Sequence, residues 1–245
     1  MRIFKKLAAA VLLTIVLTPT ASAASTRVKR HEGRAPSHAE LKEAERRLKE
    51  MGFWTGPVDG VIDSTTQLAL VTFQKWEGRR ITGRLTRAEF NAIRNAPSPQ
   101  PKDPGYRHVE VDLDRQVLLL TNDEGVITTI LPVSTGSGKH YKEKRMSGLA
   151  YTPRGRFRIY GKLTGWRKSP LGLLYYPNYF SDGLAIHGNP SVPQSPRSHG
   201  CVRIPMFAAP EISTQLPIGT ILLIYDTQSF VSAKDWAQAD ARNIP

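Results

Sequence analysis

The chain has 245 residues, 40% of them hydrophobic and 22% charged, enough for one or two ordinary cores and too apolar for a disordered polymer. Lys and Arg number 34 against 21 Asp and Glu, and the resulting +13 favours an anionic partner or surface without specifying a fold. A single cysteine excludes an intramolecular disulfide framework and any zinc site that takes two or four cysteine thiolates from one chain.

Residues 1–23 read as a signal peptide. Arg2, Lys5 and Lys6 precede the apolar run Leu7–Thr18 and the small-x-small triplet Ala21-Ser22-Ala23, so cleavage is expected after Ala23. That run has 12 residues, whereas a membrane-crossing helix takes about 20, which argues against stable membrane insertion. No cysteine lies near the cut for lipid attachment, and losing three cations lowers the charge from +13 to +10. The expected destination is the periplasm or cell wall. An exported lone thiol, Cys201, either pairs between chains or is kept for its chemistry.

Residues 24–36 are basic and poor in apolar side chains, a tether. Over 37–95 three helix starts are expected at Ser37-x-x-Glu40, Ser64-x-x-Gln67 and Thr86-x-x-Glu89, each patterned as a capping box, with Leu85 and Phe90 spaced as a staple at the third. Leu41, Ala44, Leu48 and Met51, then Ala69, Phe73 and Trp76, follow at helical spacing. Met51-Gly52-Phe53, Gly56-Pro57-Val58-Asp59-Gly60, Thr66, Phe73-Gln74 and Thr82-Gly83-x-Leu85-Thr86 together resemble the peptidoglycan-binding module of cell-wall hydrolases. Ile62-Asp63 departs from it, standing where a glycine usually precedes the second helix. The alternative for this module is a helical spacer without a ligand.

Four prolines within 96–105 predict a semi-rigid, extended linker and place the domain boundary there. From 106 the period changes. Val109, Val111 and Leu113 alternate with polar residues, and short apolar runs at 117–120, 126–133, 157–160, 173–176, 184–186 and 221–225 are bounded by turn residues. The expected fold class is therefore α+β multidomain: a three-helix module, then a mostly β sandwich or barrel-like domain over 106–226 with one short helical turn near 206–215. The tail 227–245 carries a candidate short helix around 233–239.

The chemistry gathers at Ile186-His187-Gly188-Asn189-Pro190 and Ser198-His199-Gly200-Cys201-Val202-Arg203. A thiol needs a base near neutral pH because the thiolate is the reactive form, and an imidazole within hydrogen-bond reach supplies it. Backbone N–H groups around Gly200-Cys201 offer donors to a developing oxyanion, so the cluster reads as acyl transfer through a thioester. A zinc site of His187, His199 and Cys201 is the alternative. It is the less favoured of the two readings. A satisfied histidine pair beside an inert cysteine is the bland reading.

These residues resemble the L,D-transpeptidase catalytic domain of the YkuD type, together with Val133-Ser134-Thr135-Gly136, Thr152-Pro153-x-Gly155-x-Phe157 and Tyr175-Tyr176-Pro177-x-x-Phe180. The resemblance implies Cys201 as nucleophile on the third residue of a tetrapeptide stem and His187 as general base oriented by a backbone carbonyl. It further implies an oxyanion hole from the amides of His199, Gly200 and Cys201, and a donor-side contact from Arg203. Ser198, Tyr176 and Gly188 are the remaining substrate-side candidates. No cofactor or metal is expected. The implied partners are peptidoglycan tetrapeptide stems as donor and acceptor, or anchored envelope proteins as acceptor. With water as acceptor the same site is an L,D-carboxypeptidase, and a non-catalytic wall-binding protein is the rival from another class. Nucleic acid is disfavoured by the leader and the lack of a recognition motif. The basic stretch 139–146, longer than the link usual in the family, reads as a solvated loop rather than a lid over acidic stems.

Overall fold

The computed structural model describes residues 35–143 and 146–229. The leader, nearly all of the tether and the expected helix at 233–239 lie outside them. Helix α1 (His38–Glu50) starts at the expected capping box: Glu40 N–H donates to Ser37 Oγ at 3.3 Å, and Ser37 N–H donates to Glu40 Oε2 at 2.9 Å. Helix α2 (Ser64–Trp76) starts one residue earlier than the pattern suggests. Its N-cap is Asp63, whose carboxylate accepts from Thr66 N–H at 2.8 Å, so the residue that departs from the module's usual glycine supplies the cap. Helix α3 (Arg87–Asn95) is capped by Thr86, while its Glu89 pairs with Arg79 at 3.0 Å rather than returning to the cap. Two buried polar side chains hold the intervening loops. Glu45 accepts from Gly60 N–H and Thr66 Oγ1, and Gln74 Oε1 accepts from the N–H groups of Thr82 and Gly83.

The strand-rich part begins with β1 (Val109–Asp112), β2 (Val117–Thr121) and β3 (Ile127–Pro132), followed by a hairpin of β4 (His140–Glu143) and β5 (Met146–Leu149). Then come β6 (Gly155–Arg158), β7 (Gly161–Lys162), β8 (Trp166–Ser169), β9 (Gly172–Ser181), β10 (Leu184–Asn189) and β11 (Val202–Pro205). A 3-10 turn (Met206–Ala208) runs into α4 (Ala209–Gln215), and β12 (Ile221–Tyr225) closes the described chain. One sheet has the order β3-β2-β1-β12-β6 and a second the order β11-β10-β9-β7, with β8 paired to β9. Only β1–β12 and β10–β11 are parallel pairs among these. Both sheets are open, so the sandwich expectation holds and the barrel-like one does not. The helical segment at 206–215 is also more than a turn: Ala208, Ala209 and Ile212 are fully buried in the core that both sheets share.

The linker is not a spacer. β2 is apolar at four consecutive positions because it is covered on both faces. Leu118 and Leu120 face the core between the sheets, whereas Val117 and Leu119 join Ile130 in a second core with Leu48, Phe53, Leu70, Phe73 and Ile93 of the helical module. Backbone pairing reinforces this: Ile130 N–H donates to Gly52 O at 2.7 Å and Trp54 N–H to Ile130 O at 3.3 Å, so Phe53 extends the β3 edge. Pro99 and Pro101 are buried, and the N–H groups of Lys102 and Asp103 each donate to the Glu110 carboxylate at 3.0 Å. Burial raises the Glu110 pKa, but the bonds from His108, Lys102, Tyr225 and Asp103 outweigh it and hold the carboxyl below its usual range.

The shared core predicts cooperative unfolding. Phe53→Ala should cost about 3–5 kcal/mol and lower one common transition, followed by circular dichroism of the helices and tryptophan fluorescence together. Separate melting of the helices, with the remainder unmoved, would contradict a shared core.

Candidate active site

The site lies where β10 and β11 run parallel, with His187 paired to Arg203 in register. Side chains at paired positions of neighbouring strands share a face, and both residues line a cavity of about 440 Å3 together with Cys201, His199 and Ser198. The Ser169–Leu174 turn between β8 and β9 forms one wall, and Tyr141 and Met146 of the β4–β5 hairpin form another. This hairpin stands where the charge pattern suggests a solvated loop. Its Tyr141 lies edge-on to the His199 ring at 4.6 Å, and Glu143 Oε1 lies 3.1 Å from His199 Nε2.

His187 is 3% exposed, and its Nδ1 lies 2.9 Å from Gly188 O. A carbonyl only accepts, so Nδ1 carries the hydrogen and Nε2 the lone pair when the ring is neutral. Burial pulls the His187 pKa down to about 4; the Gly188 bond opposes this and the Arg203 cation adds to it. Cys201 is half-buried. Burial pushes its thiol up, against smaller downward contributions from the Ala185 N–H and the Arg203 charge. The resting pair is therefore a neutral thiol and a neutral imidazole rather than an ion pair.

The loop before β11 is irregular, so His199 and Cys201 lie outside the strand and its side-chain alternation does not govern where they point. Among the described residues no group of three His, Cys, Asp or Glu side chains is placed to hold a metal ion. Internal bonds shape this loop. Ser198 Oγ donates to Cys201 O at 2.5 Å and accepts from Gly200 N–H at 3.0 Å, so the hydroxyl expected to meet substrate is spent on the loop itself. The same bond engages the Gly200 N–H and takes it away from the oxyanion role that the sequence suggests. Gly200 has φ +137°, and a Cβ there would stand 2.7 Å from Tyr151 O, so no side chain fits. Thr152 Oγ1 donates to Gly200 O at 2.7 Å and accepts from Gly136 N–H at 2.8 Å, joining three separate sequence motifs at one point.

The other candidates divide. Arg203 lines the cavity and has no carboxylate partner among the described residues. Gly188 serves through its carbonyl and its lack of a side chain, because a Cβ would lie 2.7 Å from the Cβ of Ala209. Tyr176 packs against the core and edge-on to Tyr175 at 4.8 Å, and it does not line the cavity. Tyr141 and Met146 take a wall position that sequence reasoning does not assign; their only signal is the apolar punctuation of a basic stretch. Of the neighbouring arginines, Arg154 pairs with Asp226 at 2.8 Å and Arg158 donates to Gly219 O at 2.9 Å, so both are structural.

Residues 106–224 match the family described as the L,D-transpeptidase catalytic domain (YkuD), and residues 37–93 match the "Putative peptidoglycan binding domain" family. A crystal structure of the L,D-transpeptidase from Xylanimonas cellulosilytica DSM 15894 is 34% identical, with a TM-score of 0.71, covering 79% of this chain and 96% of that one. The L,D-transpeptidase (Yku) from Stackebrandtia nassauensis is 21% identical with a TM-score of 0.46, over 79% of this chain and 93% of that one. An L,D-transpeptidase from Mycobacterium smegmatis is 18% identical with a TM-score of 0.38, over 49% of this chain and 58% of that one. A search of curated proteins returned no match. The first similarity spans more of the chain than the catalytic match alone, so it takes in helical module and sheets together, and this chain belongs to the L,D-transpeptidase family.

Proposed function

We propose that the protein is a cysteine acyltransferase that cuts the amide between an L-centre and a terminal D-residue of a peptidoglycan tetrapeptide stem and passes the acyl group to an amine, forming 3→3 cross-links. The observation that carries this reading is the fixed tautomer of His187, whose Nδ1–H is committed to Gly188 O in a cavity shared with Cys201. His187 Nε2 takes the Cys201 proton as Sγ attacks the carbonyl carbon. The N–H groups of His199 and Cys201 receive the oxyanion, since the Gly200 N–H is engaged by Ser198. Collapse returns the proton from His187 to the departing amine of the D-residue and leaves a thioester. The acceptor amine then attacks the thioester, His187 takes its proton, and the thiolate leaves and is reprotonated. Arg203 suits a stem carboxylate, because a guanidinium binds that group with two parallel bonds. A side-chain amine on an anchored envelope protein is chemically equivalent as acceptor, and water in its place gives the carboxypeptidase outcome. The peptidoglycan-binding module and the leader-like start suit action in the periplasm or cell wall.

Incubating the protein with purified disaccharide-tetrapeptide and reading products by mass spectrometry tests this directly. The expected result is a 3→3 linked dimer, with Cys201→Ala yielding neither dimer nor covalent adduct. Tripeptide and free D-residue without dimer would assign carboxypeptidase activity. Absence of product and adduct in the unaltered protein would leave a binding protein.

The buried imidazole sets the pH response. With His187 held at about 4, the base is unprotonated throughout the neutral range, and its uptake of the thiol proton fails only as the pH falls through that value. Release of the terminal D-residue should accordingly be level between about pH 5 and 7 and decline below about pH 4.5. A half-maximal rate near the ordinary imidazole value would show that His187 is not held as a buried neutral base.

A further inference from the structure

Lys75 lies in the last turn of α2 and is 6% exposed. Its Nζ reaches out of the helical module and donates to Gln116 O at 3.3 Å and Val133 O at 3.4 Å. No carboxylate pairs with it among the described residues, and burial draws its pKa down to about 8. An ammonium removed from water and given two long bonds to carbonyls is a poor way to hold two cores together, since a methionine there fills the same space without a desolvation cost. Packing of the module against the sheet therefore does not account for a lysine.

What lies beyond those carbonyls does. Val133 N–H donates to Gln116 O at 2.9 Å, so the two acceptors are tied to each other. Gln116 sits at φ +54°, a conformation that a non-glycine residue seldom adopts, and its side chain is fully used. Gln116 Oε1 accepts from Thr135 N–H at 3.0 Å, and Nε2 donates to Thr135 Oγ1 at 2.8 Å and to Leu113 O at 2.7 Å. Thr135 O in turn accepts from Ser198 N–H at 2.9 Å, and Ser134 exchanges both backbone bonds with Arg203 at 3.1 Å. Single hydrogen bonds thus run from the module's lysine to the two ends of the catalytic loop, and Ser198 and Arg203 flank Cys201.

We propose that Lys75 is a positioning residue supplied by the helical module, whose ammonium fixes segment 133–135 and through it the register of Ser198, Cys201 and Arg203. The module is then part of the catalytic apparatus as well as a wall-binding element. This rests on the acyl-transfer reading for its kinetic consequence, but not for its structural one.

Lys75→Met keeps the volume and removes the ammonium. In the full chain, kcat for release of the terminal D-residue from disaccharide-tetrapeptide should fall about tenfold, with KM held within about twofold. The iodoacetamide alkylation rate of Cys201 should shift, and hydrogen exchange should quicken in peptides covering 133–136 and 197–201 while α1 and α3 stay protected. Gln116→Met should give the same local signature, and the double variant should be no worse than the poorer single one, because both break one chain of contacts. Unchanged kcat and exchange in Lys75→Met would overturn the proposal. So would exchange rising throughout the chain in step with a lower Tm, or additive losses in the double variant. If the unaltered protein releases no D-residue, the acyl-transfer reading fails, while alkylation and local exchange still decide the role of Lys75.

Discussion

β2 presents Val117 and Leu119 on one side and Leu118 and Leu120 on the other, and all four are removed from water. A strand of that kind needs cover on both faces of its sheet. The second sheet and α4 supply one cover and the helical module supplies the other. Much else is arranged around this requirement. Gly52 and Trp54 share backbone bonds with Ile130, which pairs the β3 edge at that residue, and Glu110 gathers the N–H groups of Lys102 and Asp103 from the linker. Small helical units are marginal by themselves, so a three-helix unit whose core continues into a neighbouring sheet is stabilised where it would otherwise be weak.

The active site depends on the same sheet from the other direction. β3 leads straight into Val133, Ser134 and Thr135, and these make the backbone contacts that hold Ser198 and Arg203. Thr152 and Gly136 close the opposite side of the loop at Gly200. Cys201 is therefore carried on an irregular segment held by bonds to Thr135 and Thr152 and, within itself, by the Ser198 hydroxyl. That is how a loop without regular secondary structure is given the rigidity of a scaffold element.

Part of this is legible in the sequence and part is not, for physical reasons. Capping residues and the 3.6-residue period mark helices because they act within one turn, and the shift of the α2 cap to Asp63 is a local competition between adjacent acceptors. The His187 and Ser198–Arg203 cluster stands out because its residue types carry chemistry in that order. The two-faced burial of β2 is visible as an unbroken apolar run, yet such a run does not say what lies on either side. Nor does a proline-rich stretch say whether it spans a gap or packs: Pro99 and Pro101 pack. The hairpin of β4 and β5 is hidden because the charged run 142–145 interrupts any alternation, and its pairing comes from β-ladder bonds, with Tyr141 and Met146 the described hairpin residues that line the cavity. Tyr176, at φ +50°, packs against the core as its neighbour Tyr175 does, and neither ring lines the cavity.

A neutral thiol and a neutral imidazole lining one cavity have consequences for how such a site discriminates. The thiolate is the form that oxidants, metals and small electrophiles attack, and burial keeps Cys201 from populating it at rest. Under the proposed acyl transfer, proton transfer to His187 would become favourable only when negative charge has somewhere to go, which is the carbonyl oxygen of a substrate seated against the loop N–H donors. Arg203 lowers both pKa values through its charge, favouring the thiolate while disfavouring the imidazolium. A carboxylate bound to that guanidinium would offset both effects together, raising imidazole and thiol alike, so the charge of Arg203 moves the two groups in step. In the proposed acyl transfer Arg203 therefore serves to seat the stem, and the drive for proton transfer comes from the donors that would receive the oxyanion.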